Sequence, residues 1–409
     1  MSKLPKGWEE EQLKDIVYKN RAITYGIVQP GGDISPLGIP LIRGKDYSSG
    51  KVNLTGLYHV SEEIDRPYSR SKVKENDILL TIVGYVGQTA IVPKELENAN
   101  ITQTTARISV NHEIANYQFV DYFLNSNLGQ KNLKRYEKGS AQAGLNLKDI
   151  EKVKIFLPPL EEQKKIADIL GTVDKKIAFV EENINATEEL KKGLMQKLLT
   201  EGISHTEFKD SELGRIPESW EVVQIKQLGL VVTGSTPKTA NKEFYENGTR
   251  LWASPSDLGK SKEIKNTATK LSDLGFEQTR ILPPRSILIT CIGSTIGKIG
   301  IAYEEMSTNQ QINSVVCNEK NNSDFYYYVL DQQKEYIKKL AGTQAVPLLN
   351  KTDFSMIKVI QAPLEEQKQI AEILSTVDNK LENLKEKKQS FEELKKGLMQ
   401  KLLTGEVRV

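Results

Sequence analysis

The sequence predicts an α+β protein: two mixed α/β domains separated by two long helices that pair as an antiparallel coiled coil. Three observations predict this class. The second half of the chain repeats the first, each half ends in a segment with heptad spacing, and short apolar runs bounded by turn residues precede both segments. The predicted fold is therefore a pseudo-twofold tandem duplication. Its predicted parts are a first head (1–158), a first helical segment (159–203), a second head (204–362) and a second helical segment (363–409).

The composition is that of an ordinary globular protein, with 38% hydrophobic and 27% charged residues. Because 56 basic residues nearly balance 54 acidic ones, any nucleic-acid surface must be a local patch or must be completed by a partner. No apolar run approaches the about 18 residues of a membrane span, and the N-terminus has no apolar signal region, so we expect a cytosolic protein. The two cysteines, Cys291 and Cys317, predict neither a disulfide framework nor a metal site.

The repeat is strongest at the end of each half. Residues 159–200 and 363–404 align without a gap at an offset of 204, and 28 of the 42 paired positions are identical. Within them, "EELKKGLMQKLLT" occurs twice without change. The near-identical tails suggest that both bind the same partner or pack on each other. The heads have diverged in sequence along a shared pattern, which suggests that they do the same kind of work on different targets.

The repeat extends more weakly through the heads. "IPLIRGKDY" from Ile39 aligns with "RLWASPSDL" from Arg250, which pairs Asp46 with Asp257. Two further pairs match, "DILLTIVG" with "SILITCIG" and "GSAQAGLN" with "GTQAVPLLN". The two heads are therefore expected to share one fold.

Both tails have the sequence features of long helices. Pro159 and Pro363 suit the position at or just before the first turn, and the glutamates that follow suit the positive end of the helix dipole. Apolar residues then recur at steps of four and three, as in a coiled-coil seam. The alternative is that each helix packs only on its own domain. The residues predicted to pair the helices or to dock another subunit are Ile166, Leu170, Val173, Ile177, Leu194, Ile370, Leu374, Val377, Leu381 and Leu398.

The heads show alternating strand and helix signals. "NDILLTIVG" and "RSILITCIG" predict buried strands, and "TAIVP" and "IGIAY" predict strands that pair with them. "YQFVDYFLNSNLGQKNLKRY" and "FYYYVLDQQKEYIKKL" have helical spacing, and "KVKIFLP" and "IKVIQAP" predict a closing strand before each tail. Each head should be a curved sheet with one or two helices.

Catalytic signatures are missing from the sequence. "GSTIGKIG" from Gly293 has one residue too few between its glycines for a phosphate loop and lacks Ser or Thr after Lys298. No Asn/Asp-Pro-Pro-aromatic motif for amino methylation occurs, and no glycine-rich turn suggests an S-adenosylmethionine pocket. His59, His112 and His205 are far apart and unmatched between the halves. We therefore predict no catalytic, cofactor or metal site in this chain.

The polar segments between the predicted strands suit binding chemistry better. Arg and Lys pair with guanine edges, Asn and Gln pair with adenine edges, and small residues allow close approach to phosphates. Ordinary solvated loops remain the alternative, and Asp46 and Asp257 have the alternative role of capping their loops. The candidate DNA-binding residues are Arg43, Lys45, Gln103, Arg107, Ser140 and Gln142 in the first head, and Ser235, Thr236, Lys238, Ser254, Lys298, Gln310, Thr343 and Gln344 in the second.

These motifs together resemble a known family. Both halves contain "P-x-x-W-E", a "G-x-x-G" after the buried strand, and "P-P-L-E-E-Q-K-x-I-A" or its close variant at the start of the tail. The pattern is similar to the DNA specificity (S) subunit of type I restriction–modification enzymes, and it covers essentially the whole chain. The first head departs from it, because "YGIVQPGGD" stands where the second head has "TGSTPK".

The resemblance implies a function that the residue patterns alone do not give. Each head would be a target recognition domain for one half of a bipartite DNA site, in a subunit that is not itself catalytic. The helices would measure the unread spacer and dock two methyltransferase (M) subunits that bind S-adenosylmethionine and methylate adenine N6. Restriction (R) subunits would add an ATP-dependent nuclease, so S-adenosylmethionine, ATP and Mg are expected only on partners.

Two other classes stay open on the residue patterns. A coiled-coil scaffold whose heads bind protein or glycan ligands fits the polar loops equally well. A self-sufficient nuclease or methylase would need catalytic residues that the sequence lacks.

Overall fold

The computed structural model describes residues 4–48, 50–137, 144–342 and 347–409. The chain forms two compact units, the first made of Met1–Glu181 with Glu386–Val409 and the second of Glu182–Lys385. Each unit therefore combines one head with a stretch of both long helices.

The first head and its tail contain eleven strands and five α-helices among the residues described there. The strands are β1 (Glu9–Gln12), β2 (Thr24–Tyr25), β3 (Ile39–Ile42), β4 (Tyr47–Ser48), β5 (Gly50–Val52), β6 (Tyr58–Val60), β7 (Ile78–Thr81), β8 (Thr89–Ile91), β9 (Asn100–Ile101), β10 (Thr105–Ile108) and β11 (Lys154–Leu157). The helices are α1 (Glu62–Asp65), α2 (Tyr117–Asn125), α3 (Asn127–Lys134), α4 (Leu147–Glu151) and the long α5 (Leu160–Leu198). Short 3-10 helices span Leu13–Asp15, Arg66–Ser71 and Lys94–Leu96.

The rest of the described chain builds the second head and its tail. The strands are β12 (Phe208–Ser211), β13 (Gly214–Pro217), β14 (Glu221–Gln224), β15 (Gly229–Thr233), β16 (Arg250–Ala253), β17 (Glu263–Ile264), β18 (Thr269–Leu271), β19 (Ile287–Thr290), β20 (Ile299–Ala302), β21 (Ser307–Thr308), β22 (Ile312–Cys317) and β23 (Lys358–Gln361). The helices are α6 (Ile225–Leu228), α7 (Asp273–Glu277), α8 (Ser323–Gln332), α9 (Lys334–Leu340), α10 (Lys351–Met356) and the long α11 (Leu364–Leu402), with a 3-10 helix at Lys242–Phe244.

The two heads share one sheet topology. The main sheet has the order β2-β10-β7-β8-β5-β4 in the first head and β15-β22-β19-β20-β17 in the second. A smaller sheet, β6-β3-β9 or β18-β16-β21, lies beside it. The closing strand of each head, β11 or β23, pairs with β1 or β14. In both small sheets the strand pair β3–β9 or β16–β21 is parallel. This correspondence confirms the predicted duplication of a mixed α/β head.

The predicted central strands are β7 and β19, and all four residues of each are buried. Each predicted helical string forms two helices, α2 with α3 and α8 with α9. In the first head the break is at Ser126, whose hydroxyl accepts a hydrogen bond from the Gly129 amide at 3.1 Å and so starts a new helix. A Cβ at Gly129 would lie 2.0 Å from the Phe123 carbonyl oxygen, so the second helix packs too closely for any side chain there.

The long helices run antiparallel to each other within each unit. Ion pairs join them, and along these pairs the residue number in α11 decreases as the residue number in α5 increases. The pairs are Asp174–Lys395 at 2.6 Å and Glu181–Lys388 at 2.9 Å in the first unit, and Glu188–Lys385 at 2.8 Å and Lys191–Asp378 at 2.6 Å in the second. Each helix has 39 residues, about 58 Å at 1.5 Å per residue. The predicted antiparallel pairing is confirmed within each unit.

The predicted seam residues pack on the heads as well as on the opposite helix. Ile166 and Leu170 are fully buried in the core of the first head, and Ile370 and Leu374 in the core of the second. Val173, Val377 and Leu381 are also buried, whereas Ile177, Leu194 and Leu398 are half-buried. The two interpretations of the helices, pairing and packing on a domain, therefore both hold. No helix among the described residues is long and apolar enough to cross a membrane.

Candidate nucleic-acid interface

Four loops meet at corresponding places in the two heads, and we call them the edge loops. In the first head they lie after β2, after β3, between β7 and β8, and between β9 and β10. In the second head they lie after β15, after β16, between β19 and β20, and between β21 and β22. In residue numbers they are 26–27, 43–46, 82–88 and 102–104 in the first head, and 234–238, 254–257, 291–298 and 309–311 in the second.

A glycine brings the first and fourth edge loops into contact in each head. A Cβ on Gly26 would lie 1.8 Å from the carbonyl oxygen of Ile101, and a Cβ on Gly234 would lie 2.1 Å from that of Asn309. Any other residue would push the two loops apart. The divergent "YGIVQPGGD" segment thus keeps the glycine on which the shared geometry depends.

An aspartate holds the second edge loop in each head. The Asp46 carboxylate accepts a hydrogen bond from the Arg43 amide at 2.9 Å, and the Asp257 carboxylate accepts one from the Ser254 amide at 2.8 Å. The pairing of these aspartates and their alternative role as loop caps are both confirmed. The Arg43 guanidinium also donates to Asp46, at 2.8 and 3.0 Å, and lies 5.1 Å from the Tyr58 ring centroid. The guanidinium N–H groups that donate to Asp46 are therefore already hydrogen-bonded within the loop.

The second head brings several predicted residues together. The Thr236 hydroxyl donates to Gln310 Oε1, and the Arg280 amide donates to the Ser235 hydroxyl at 3.2 Å. Lys238 is exposed beside them. Ser254 donates its hydroxyl to Asp257 at 2.8 Å, and Lys298 is half-buried in the third loop.

Arg280 is a candidate that the sequence analysis missed. Its guanidinium donates to the Thr233 carbonyl at 2.7 Å while the side chain stays exposed next to the first edge loop. It lies far along the chain from the loop that it borders, and no spacing signal links the two.

In the first head, Lys45 and Gln103 are exposed on the second and fourth edge loops. Tyr85 is 86% exposed at the apex of the third loop, between Gly84 and Gly87, whose φ values of 84° and 93° favour glycine. The sequence analysis missed this tyrosine also, because the second head has a serine at the corresponding place.

The position of Arg107 corrects its predicted role. Its side chain is 2% exposed, and its guanidinium donates to the carbonyls of Arg70 at 2.7 Å, Lys72 at 3.1 Å and Ala22 at 2.9 Å. Burial lowers its pKa to about 10, with a further contribution from nearby Arg21. Arg107 ties β10 to the neighbouring segments, and its hydrogen-bonding groups are not available to DNA.

Four predicted residues, Ser140, Gln142, Thr343 and Gln344, lie outside the described residues. The described chain next to them borders the third edge loop, because Val83 bridges Gly144 in one head. Ile292 bridges Leu348 in the other.

Two of the histidines make polar side-chain contacts, and both cysteine thiols have raised pKa values. His59 contacts the Ser35 hydroxyl at 2.8 Å, and His205 contacts a carboxylate of its own unit, Glu366, at 2.8 Å. Burial raises the pKa of the Cys291 thiol to about 12 and that of Cys317 to about 11, which makes both poor nucleophiles. No cluster of potential metal ligands occurs in the part of the chain that the structure describes.

The repeated "PLEEQ" motif joins each head to its long helix. Gln163 accepts from the Asn116 amide at 2.8 Å and donates to the Pro158 carbonyl at 2.9 Å. Gln367 accepts in the same way from the Asn322 amide, at 2.8 Å.

The glutamate before this glutamine completes each junction. Glu366 accepts from the indole of Trp220 at 2.8 Å, which connects the "P-x-x-W-E" motif to the helix. Its counterpart Glu162 forms two hydrogen bonds with Arg408, at 2.6 and 2.7 Å. In the second half, the "P-x-x-W-E" and "PLEEQ" motifs are therefore parts of one junction.

Comparison with known proteins identifies the family. The sequence profile of the type I restriction modification DNA specificity domain matches residues 5–189 and again residues 217–393. The chain belongs to this family. The specificity subunits of this family are generally non-catalytic.

Two specificity subunits match this chain over most of their length. The putative type I restriction enzyme MjaX specificity subunit of Methanocaldococcus jannaschii is 28% identical over all of this chain and 96% of its own length. The MjaVIII specificity subunit of the same organism is 34% identical over 82% of this chain and 80% of its own. The crystal structure of the type I restriction-modification system S subunit from M. genitalium shares the fold, with a TM-score of 0.65 and 16% identity over 98% of this chain and 97% of that one.

Proposed function

We propose that this specificity subunit reads a bipartite DNA target, with the edge loops of each head contacting one half-site. The observation that supports this most directly is that equivalent loops on one scaffold carry different side chains. Arg43 corresponds to Ser254, and Tyr85 corresponds to a serine. Two heads that share one fold but carry different side chains on their edge loops suit the recognition of two different half-sites. Membership of a DNA specificity family favours this function over a scaffold for protein or glycan ligands.

Base reading is assigned to the exposed amides. Gln103 and Gln310 occupy the same place in the fourth edge loop, and a glutamine there suits the paired donor and acceptor of an adenine in the major groove. Exposed Lys45, Lys238 and Arg280 suit phosphate contacts, which fix position without reading sequence. Arg43 would read a base only after releasing Asp46, so its role is to shape its loop.

The repeated segment is assigned to docking two copies of one partner. Leu190 and Leu394 are 51% and 49% exposed at equivalent positions of "EELKKGLMQKLLT". Gly193 and Gly397, three residues later on each helix, would meet nothing within 4 Å if they carried a Cβ. A glycine inside a helix costs about 1 kcal/mol relative to alanine, so its presence in both copies favours close approach by another chain. Two methyltransferase subunits fit this paired surface.

The remaining partners follow from the same assignment. The methyltransferase subunits would bind S-adenosylmethionine, and restriction subunits would bring the ATP- and Mg-dependent steps. The long helices would set the spacer between the half-sites. In this complex the present chain would select the target sequence, set the spacer and dock the methyltransferase subunits.

Co-expression with a candidate methyltransferase, followed by sequencing of adenine methylation, tests the function. A split motif that appears only when this chain is present is the expected result. Methylation that is unchanged by the chain, or a continuous motif, would contradict the proposal. Replacing residues 1–158 with the corresponding head of another specificity subunit should change one half of the motif and keep the other.

A further inference from the structure

A tyrosine, an aspartate and a lysine from three different helices meet in the first unit. The hydroxyl of Tyr122, on α2, donates to Asp174 Oδ2, on α5, at 2.7 Å. The other oxygen, Oδ1, lies 2.6 Å from Nζ of Lys395, on α11. That ammonium is also 5.4 Å from the Tyr122 ring centroid, so each of the three side chains contacts the other two.

The second unit contains the same cluster with the long helices exchanged. The Tyr328 hydroxyl, on α8, donates to Asp378 Oδ2, on α11, at 2.7 Å, and Lys191 Nζ, on α5, lies 2.6 Å from Asp378 Oδ1. Lys191 is 5.7 Å from the Tyr328 ring centroid. We call both clusters Tyr–Asp–Lys clamps. Lys191 and its counterpart belong to the repeated "EELKKGLMQKLLT" segment, so the clamp gives that segment a contact inside each unit.

The clamp depends on three placements at once. One carboxylate uses one oxygen for the head and the other for the opposite helix, so both bonds form only when the head and the two helices are in register. An apolar heptad seam tolerates a slip of seven residues more readily, because another apolar residue then fills each place. The same slip would move an aspartate about 10 Å from its lysine. A polar contact on such a seam therefore selects one register.

The second clamp has an additional cation. Lys262 donates to the Tyr328 hydroxyl at 3.1 Å and to the Ser375 hydroxyl at 2.7 Å, and lies 2.8 Å from Asp324. In the first head the residue that corresponds to Lys262 is Gly50. The residue after Gly50 pairs in parallel with Ile91, just as the residue after Lys262 pairs in parallel with the equivalent strand of the second head. The second clamp therefore has more contacts than the first and should tolerate the loss of one better.

We propose that the two Tyr–Asp–Lys clamps are positioning devices that fix the helix register against each head and so restrict the enzyme to one spacer length. The inference rests on the proposed function and deepens it. The clamp residues act through the helices that carry the heads.

The test uses the chain assembled with its methyltransferase and a library of targets whose two half-sites are separated by spacers of different length. For Lys395→Met and Tyr122→Phe, we expect methylation at neighbouring spacers, relative to the wild-type spacer, to rise by about fivefold, the size expected from losing a partly buried ion pair or hydrogen bond. Exchanging the charges, with Asp174→Lys and Lys395→Asp together, keeps an ion pair but removes the carboxylate that accepts from Tyr122, so the distribution should stay broader than in the wild type.

A matched control separates register from general helix pairing. Glu181→Gln removes a second interhelical ion pair, with Lys388 at 2.9 Å, that has no tyrosine from the head. This variant should keep the wild-type spacer. In the second unit, Asp378→Asn should broaden the distribution less than Asp174→Asn does, unless Lys262→Met is added.

The outcomes distinguish the two proposals. If the wild-type complex gives no split motif, the proposed function fails. The second outcome is that the wild-type complex gives a split motif and that the folded Tyr122→Phe and Lys395→Met proteins keep the wild-type spacer distribution. Total methylation could then be unchanged or fall equally at all spacers. In either case the clamps have no role in register and the proposal is wrong. Thermal unfolding of each variant establishes that it is folded.

Discussion

Asp46 holds Arg43 by three hydrogen bonds, one to the backbone amide at 2.9 Å and two to the guanidinium at 2.8 and 3.0 Å. Replacement of Asp46 by Asn should free the guanidinium and loosen the loop, because an amide accepts through one oxygen and carries no charge. Discrimination at one or more positions of the half-site read by the first head should relax, by about 1–3 kcal/mol per lost base contact.

Methylome sequencing measures this change. The matched variant is Asp257→Asn, which should relax the other half-site because Asp257 caps the equivalent loop. If both substitutions affected the same half-site, the equivalence of the two loops would be wrong.

Lys238 and Gln310 should respond differently to truncation. Lys238→Ala should weaken binding to all DNA sequences alike and lower the slope of log K against log salt by about 1, because one phosphate contact is lost. Gln310→Ala should leave the salt slope unchanged and relax a single base position, because an amide contributes no charge. Binding isotherms at several salt concentrations, on cognate and scrambled duplexes, distinguish the two results.

Arg107 is expected to matter for folding and not for recognition. Arg107→Met should lower the free energy of unfolding by about 1–3 kcal/mol for each buried carbonyl that loses its donor, because the carbonyls of Arg70, Lys72 and Ala22 are then unsatisfied. Urea unfolding measures this loss. The exposed Lys45→Met serves as the control and should change stability little. A stable Arg107→Met protein with an altered target sequence would return Arg107 to the DNA interface.

A buried carboxyl makes the first unit sensitive to pH. Burial raises the pKa of Asp121 from 3.8 to about 6, although the Thr89 hydroxyl donates to it at 2.5 Å. Because the folded-state pKa is above the unfolded one, the folded state holds this proton more tightly. The stability contributed by protonated Asp121 is present below about pH 4 and is lost as pH rises through 6, by about 3 kcal/mol in all.

Asp121→Asn should remove this dependence. The variant should be more stable than the wild type at pH 7, by up to about 3 kcal/mol, and the advantage should shrink towards zero near pH 4. Urea midpoints measured across that range test the prediction. Asp168→Asn, which replaces an exposed carboxylate of α5, is the control. An advantage for Asp121→Asn that does not vary with pH would contradict the assignment.

The length of the long helices should set the spacer. Four residues inserted after residue 181 in α5 and after residue 385 in α11 lengthen each helix by about 6 Å. That is close to two base pairs at about 3.4 Å each. Methylome sequencing should then show a spacer longer by one or two base pairs, and an unchanged spacer would exclude a measuring role for the helices.

The sequence predicts the repeated elements well because their signals are local. Three consecutive apolar residues followed by a threonine make β7 and β19 recognisable, and heptad spacing does the same for α5 and α11. The edge loops meet through parallel pairing of strands that are distant in the chain, such as β3 with β9, and this pairing leaves no local periodicity. The sequence pattern places Arg107 at the DNA surface, because its carbonyl partners are 35 or more residues away and leave no local signal.

The helix junctions have a consequence for how new specificities arise. Gln163 and Gln367 each accept a hydrogen bond from a backbone amide of the head, and every residue except proline can supply such an amide. Glu366 requires only an indole N–H as its donor. A foreign head that brings this tryptophan and a helix start at the right place could be joined to an unaltered tail. Recombination between genes of this family at the ends of the tail segments would therefore yield working hybrids without any change in the helices.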